Sequence, residues 1–136
     1  MLTELLFALA LSNAAQPPHT EAQAACVERV LSEDDRLGRA RNHAPEADSL
    51  ALAVSRYVEA LEQLDMRDCP ADFRAAFDRH RQAWTKGADL FERHAKLRGE
   101  MHDLFDQIRT GPDGDELKAV EAGIWSTWAE VEAATR

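Results

Sequence analysis

The clearest periodicity in the chain lies between positions 46 and 66, where Leu50, Val54, Tyr57, Leu61 and Leu64 step by four, three, four and three. Those steps keep the apolar residues on one side of a helix and make a seam that faces a second helix. The pattern predicts a helix B over Glu46–Met66. Upstream, Val27, Val30, Leu31 and Leu37 sit at helical spacing in a stretch rich in Ala, Glu and Arg, which predicts a helix A from Thr20 to Ala44. Its second half, from Ser32 to Asn42, is so polar that only a narrow stripe is expected to be buried. Pro45 ends helix A, because the residue before a proline is pushed out of the helical region, and the same proline suits the first turn of helix B.

After helix B, Asp68-Cys69-Pro70 breaks the chain, and Pro70 with Asp72 is expected to open a helix C. A broad apolar side then runs from Phe73 through Phe77, Trp84, Phe91 and Leu104 to Ile108. An unbroken helix from Pro70 to Arg109 would be ~60 Å long. The other helices are barely more than half of that, so a bend or break is expected at Gly87 or Gly99, where helix propensity is weakest. Gly111-Pro112-Asp113-Gly114 reads as a turn. Helix D follows from Asp115 to Ala134, with Leu117, Val120, Ile124, Trp128 and Val131 on one face and Trp125 beside it. No segment alternates convincingly with period two. The expected architecture is all-α, an antiparallel four-helix bundle, with five helices if the long third one breaks.

Length and charge narrow the function classes. The chain has 136 residues, room for one domain, and 16 Lys+Arg against 25 Asp+Glu give a formal net charge of -9. That balance argues against binding to nucleic acid or to an anionic membrane surface, both of which need a basic face. The run Leu5–Leu11 is too short to span a bilayer, so no stable membrane insertion is expected. With the small residues Ser12 to Ala15 and then Pro17-Pro18 after it, the run has the layout of a secretory signal peptide, which assigns 1–15 to the signal and 16–136 to a single helical domain. The amino-terminal region lacks Lys and Arg and carries Glu4, so a buried N-terminal helix is the competing reading.

Export permits a disulfide, and Cys26 and Cys69 are the two cysteines present. Helix A from Cys26 rises ~27 Å and helix B returns ~31 Å, so both cysteines reach the same end of the helix pair. A lipid-modified Cys26, suggested by Gln23-Ala24-Ala25-Cys26, is opposed by Gln23 and by an apolar run that ends well upstream.

Signatures of familiar chemistry are missing. None of the five histidines has Glu three residues before it, as di-iron bundles require, and Cys-x-x-Cys-His is absent. Helix A has no Met and helix D no His to grip a haem between them. With no Gly-x-Ser-x-Gly, His-Glu-x-x-His or Gly-rich phosphate loop either, no cofactor, resident metal or catalytic residue is expected. His80 and His94 share a heptad track with Phe73, Phe77, Trp84 and Phe91. Each is read either as a packed, hydrogen-bonded histidine at the core edge or as a contact in a partner groove. Trp125 and Trp128, beside Ile124, make an apolar arc wider than a short helix must bury. His80, Trp84, Trp125 and Trp128 are therefore the candidate interaction residues. The pairs Asp78/His80, Glu92/His94 and Glu100/His102 are two apart and expected to point to different sides, whereas His102 and Asp106, four apart, are placed to touch.

The segment Cys69-Pro70-Ala71-Asp72-Phe73-Arg74-Ala75-Ala76-Phe77-Asp78-Arg79-His80-Arg81-Gln82-Ala83-Trp84, with Ile124 to Val131, resembles a group of small uncharacterised exported bacterial helical proteins. The resemblance implies an envelope location and a helical build, and brings no activity. Two functional readings follow. The first is a non-enzymatic exported bundle, periplasmic or extracellular, that binds another envelope protein through an apolar strip. The alternative is a small-ligand or metal-binding module using His80, His94 and nearby carboxylates. The first predicts a contiguous exposed patch of Trp, Phe and Leu, the second an enclosed pocket with at least three converging polar side chains.

Overall fold

In the computed structural model, which describes residues 17–136, the first helix opens on a reciprocal cap. The Thr20 hydroxyl accepts from the Gln23 amide at 3.1 Å while the Gln23 side chain accepts from the Thr20 amide at 2.9 Å. The signal-peptide expectation for 1–15 and its cleavage site lie outside the described residues. Helix α1 spans Glu21–His43 and is followed by a 3-10 turn at Ala44–Glu46. Then come α2 (Leu50–Glu62), α3 (Ala71–Thr85), α4 (Ala88–Arg93), α5 (Met101–Arg109) and α6 (Gly114–Ala133). The described residues form a helical bundle without strands.

Two helix starts differ from expectation for local reasons. Helix B begins at Leu50, not Glu46, because Pro45 is used in the 3-10 turn and Ser49 supplies the cap, its hydroxyl accepting from the Leu52 amide at 3.0 Å. Pro70 stands one position before α3 and outside its first turn, which Asp72 occupies as expected. The long third segment breaks at both glycines. Gly87 precedes α4, and a Cβ there would lie 2.6 Å from Phe91 Cε2 and 3.0 Å from Val120 Cγ1, so only glycine admits this approach. Gly99 has φ 146°, a conformation reserved for glycine, and its amide donates to the Pro45 carbonyl at 3.2 Å. The second break is thereby tied to the first turn of the chain.

Cross-helix contacts fix the direction of each pair. Cys26 meets Cys69, the Arg29 guanidinium donates to the Asp65 carbonyl at 2.9 Å, and Asp34 meets Tyr57, so α1 runs antiparallel to α2 and the loop after it. Arg79 pairs with Glu130 at 2.9 Å, His80 with Thr127 at 3.0 Å, and Arg93 with Glu116, so α3 and α4 run antiparallel to α6. The α3–α6 pair is the most extensive contact. Phe73, Phe77, Leu90, Phe91, Leu50 and Leu104 fill the centre with essentially no exposure. No helix of the described residues is long and apolar enough to cross a membrane.

Cys26 and Cys69 are joined, with an S–S distance of 2.02 Å and Cα atoms 5.1 Å apart. The bridge ties the second turn of α1 to the loop that precedes α3, and both cysteines are buried. Closing a loop of 43 residues stabilises the fold by about 4 kcal/mol through the lost entropy of the unfolded chain. Replacing both cysteines by serine is expected to lower the unfolding free energy by roughly that amount in urea titrations. An unchanged midpoint, or two free thiols in unreduced protein by mass spectrometry, would contradict the bridge.

Candidate functional site

Extending the three-four stepping of Val27 and Val30 along α1 lands on Asp34, Leu37 and Arg41. These positions share the face turned toward α2, which buries Asp34 and half-buries Arg41 despite their charge. Asp34 is 9% exposed and Tyr57 3%, and the Tyr57 hydroxyl donates to Asp34 Oδ1 at 2.5 Å. The Arg41 guanidinium carbon lies 4.4 Å from the Tyr57 ring centroid and 4.2 Å from that of Trp84. The two rings meet edge to face at 5.4 Å. Asn42 Oδ1 accepts from the same guanidinium at 3.0 and 3.2 Å.

Burial sets the proton affinities here. Desolvation raises the Asp34 carboxyl, held back by the Tyr57 hydrogen bond and the positive Arg41. Desolvation lowers Arg41, opposed by Tyr57 and Asp34. Tyr57 is pushed upward by burial and by the neighbouring Asp34, so it keeps its proton and acts as donor.

His80, on α3, is 4% exposed. The single proton of the Thr127 hydroxyl goes to the Gly123 carbonyl at 2.7 Å, with the Ile124 carbonyl at 3.1 Å. The 3.0 Å contact between His80 Nδ1 and Thr127 Oγ1 is therefore a donation from the ring, which assigns the proton to Nδ1 and leaves a lone pair on Nε2. Desolvation lowers His80 from 6.5 to about 4, opposed by the Ile124 carbonyl and assisted by Arg41. One turn further along α3, Trp84 is 5% exposed and its indole N–H is sealed without a partner, the one such side-chain atom found among the described residues. An unpaired buried donor costs about 1–3 kcal/mol.

These groups border a groove of about 330 Å³ between α1, α3, α5 and α6, with Tyr57 of α2 in its wall. The structure places His80, Trp84, Trp125 and Trp128 all along it. The Trp128 ring stands 5.2 Å from that of His80, and Trp125 is 66% exposed. Two carboxylates of the lining are held in ion pairs: Asp35 with Arg39 at 2.5 Å, and Glu121 with Arg109 at 2.6 Å.

His94 is not brought to this groove. It contacts Asp113 Oδ2 at 2.7 Å where α4 approaches the start of α6, and that bond holds the Asp113 carboxyl below its usual range. His102 meets Glu100 at 3.0 Å although the two are two residues apart, because Glu100 is the cap of α5 and lies outside its helical geometry. Asp106 pairs with Arg109 instead of His102. Among the described residues no three His, Cys, Asp or Glu side chains converge as metal ligands. Asp34, Arg41 and the hydroxyl of Tyr57 are the site groups that hydrophobic patterning passed over. No protein-family model matches the chain, and neither curated proteins nor solved structures give a match.

Because His80 takes up its proton near pH 6.5 when unfolded and only near 4 when folded, protonation favours the unfolded chain between those values. Its contribution is complete above pH 6.5 and is lost, up to about 3 kcal/mol, as pH falls toward 4. Asp34, with its raised affinity, works in the opposite sense over the acid end of the range. Urea titrations from pH 7 to 4 should show the wild-type midpoint falling faster than that of His80→Asn, whose side-chain amide still donates to Thr127. Parallel pH profiles would contradict a neutral, buried His80.

Proposed function

We propose that the chain is a non-enzymatic, exported helical-bundle protein that takes a small molecule into the groove between α1, α3, α5 and α6. The observation that carries this reading is the meeting of Asp34, Arg41, Tyr57, His80 and Trp84, from three helices, around an open space. A core built for stability alone satisfies its buried polar groups, whereas Trp84 holds an unused donor here. The volume falls at the small end of known ligand sites, and aromatic walls with a few fixed polar groups are their usual lining. Ring faces and hydrogen-bonding groups are the chemistry of holding a molecule. In plan we read the chain as an antiparallel four-helix bundle whose third member is α3 to α5 taken in succession. Periplasmic or extracellular location is supported by the Leu5–Leu11 run, by the Cys26–Cys69 bridge and by the resemblance to small exported bacterial proteins.

Docking of an envelope protein is the second reading, favoured by Trp125, which stands 66% exposed at the groove. The other large apolar side chain exposed among the described residues is Leu52, on α2, so the anchor in this reading is one tryptophan and not an apolar strip.

All three tryptophans of the chain line the groove, so their indole N–H signals report on its occupancy. A fragment library surveyed by ¹H–¹⁵N correlation spectra should yield binders that shift Trp84 and Trp128. Binders that shift only residues remote from the groove, or none at all, would defeat the ligand reading. A Trp125→Ala change that abolishes cross-linking to an envelope protein while leaving fragment binding intact would favour the second.

A further inference from the structure

Given the ligand-binding reading above, one side chain of the groove decides what kind of molecule enters it. The other titratable groups on the lining have partners. Asp35 pairs with Arg39 at 2.5 Å and Glu121 with Arg109 at 2.6 Å, Asp34 accepts from the Tyr57 hydroxyl, and the rings of His80 and His102 meet Thr127 and Glu100. Arg41 differs. Its Nε and Nη2 donate to Asn42 Oδ1 at 3.2 and 3.0 Å, and among the described residues no carboxylate lies within ion-pair distance of it. Two donors that share one acceptor lie on the same edge of the planar guanidinium, so the other edge, Nη1 with the second proton of Nη2, is left without an acceptor. Nη1 is not sealed either, because Trp84 Nε1 is the one buried side-chain atom without a partner among the described residues. Asp34 stands one heptad earlier on α1, about 10 Å along the axis, and favours the charge on Arg41 without occupying that edge. One turn before Arg41, Gly38 also lines the groove. A Cβ there would stand 3.6 Å from Arg41 Nη2 and 3.7 Å from Nη1, an ordinary contact, so packing does not call for glycine. Glycine inside a helix is less stable than alanine, and its bareness here leaves clear space beside the unused edge.

We propose that the groove binds a small organic monoanion, a carboxylate carrying a flat apolar body. Its two oxygens accept from Nη1 and Nη2 of Arg41, the paired geometry in which a carboxylate and a guanidinium match. Trp84, Phe105, Trp125 and Trp128 on the same lining give the body its apolar contacts. An amide of the same shape would set its own N–H against an edge made only of donors, and a cation would meet a positive charge. Asp34, Asp35 and Glu121 hold the ligand to one negative charge, since a second would be repelled by these carboxylates with no other lining cation short of a counter-charge.

Benzoate, benzamide and inorganic phosphate separate the carboxylate from its body. Titrated at pH 7 into the disulfide-intact protein, benzoate should shift the Arg41 Nε–H signal and the groove indole signals with a dissociation constant on the order of 10 mM, the affinity expected of so small a ligand. Benzamide and phosphate should each bind at least about tenfold more weakly, the first for want of a charge-assisted bond and the second for want of apolar contact. Residue 38 is three before Arg41, a spacing at which side chains on a helix meet, so Gly38→Glu supplies within the chain the carboxylate that Arg41 lacks. It should weaken benzoate at least about tenfold while its urea midpoint stays at or above that of the wild type, because glutamate is the better helix former. Benzamide binding as tightly as benzoate, or benzoate binding unchanged by Gly38→Glu in folded protein, would overturn the carboxylate while the groove reading stands. Phosphate binding as tightly as benzoate would overturn the apolar body. If none of the three moves a signal, the proposal fails, and the fragment survey decides separately whether the groove binds anything. The comparison of the three probes on wild-type protein stands even if the substituted protein fails to fold.

Discussion

A guanidinium held between two aromatic rings joins three helices at one point: Arg41 from α1, Tyr57 from α2 and Trp84 from α3. Desolvated cation–ring contacts contribute about 2 kcal/mol or more, and two rings share this cation. Asp34 lies one heptad before Arg41 on the same face and accepts from the Tyr57 hydroxyl, so the half-buried positive charge has a negative one nearby. The groove depends on this cluster: Arg41, Tyr57 and Trp84 all form part of its wall.

Helix positions were legible wherever apolar residues alone occupied the buried face. The seam from Leu50 to Leu64, the paired glycines that interrupt the third segment and the cysteines meeting at one end all follow from spacing and rise per residue. Helix ends were less legible, because Ser49 and Glu100 compete for backbone amides in ways that a periodicity argument does not weigh. His94 illustrates the cost of assuming one continuous helix. Its track was shared with His80 only if the helix ran unbroken, and the interruption at Gly87 carries it instead to Asp113.

The aromatic part of the candidate site was visible in the sequence and the polar part was not. His80, Trp84, Trp125 and Trp128 stood out as bulky side chains at helical spacing, and the structure places them on one groove. Asp34 and Arg41 were concealed in a run of polar and charged residues from Ser32 to Asn42, where an inward-facing charge leaves no hydrophobic mark. The stepping that holds Val27, Val30 and Leu37 in phase passes through both of them. A seam whose rhythm continues through charged residues signals buried polar chemistry, provided an aromatic partner such as Tyr57 waits on the facing helix.

The cystine also divides the molecule's freedom of motion unevenly. The start of α1 is covalently fastened to the junction between α2 and α3, so those three helices form a frame that thermal breathing cannot pull apart at that end. Helix α6 closes the opposite side of the groove and is retained by reversible contacts alone, among them Arg79 with Glu130, Thr127 with His80, and the buried Val131. Reduction of the cystine would free the start of α1 from the α2–α3 junction and leave the contacts of α6 as they are.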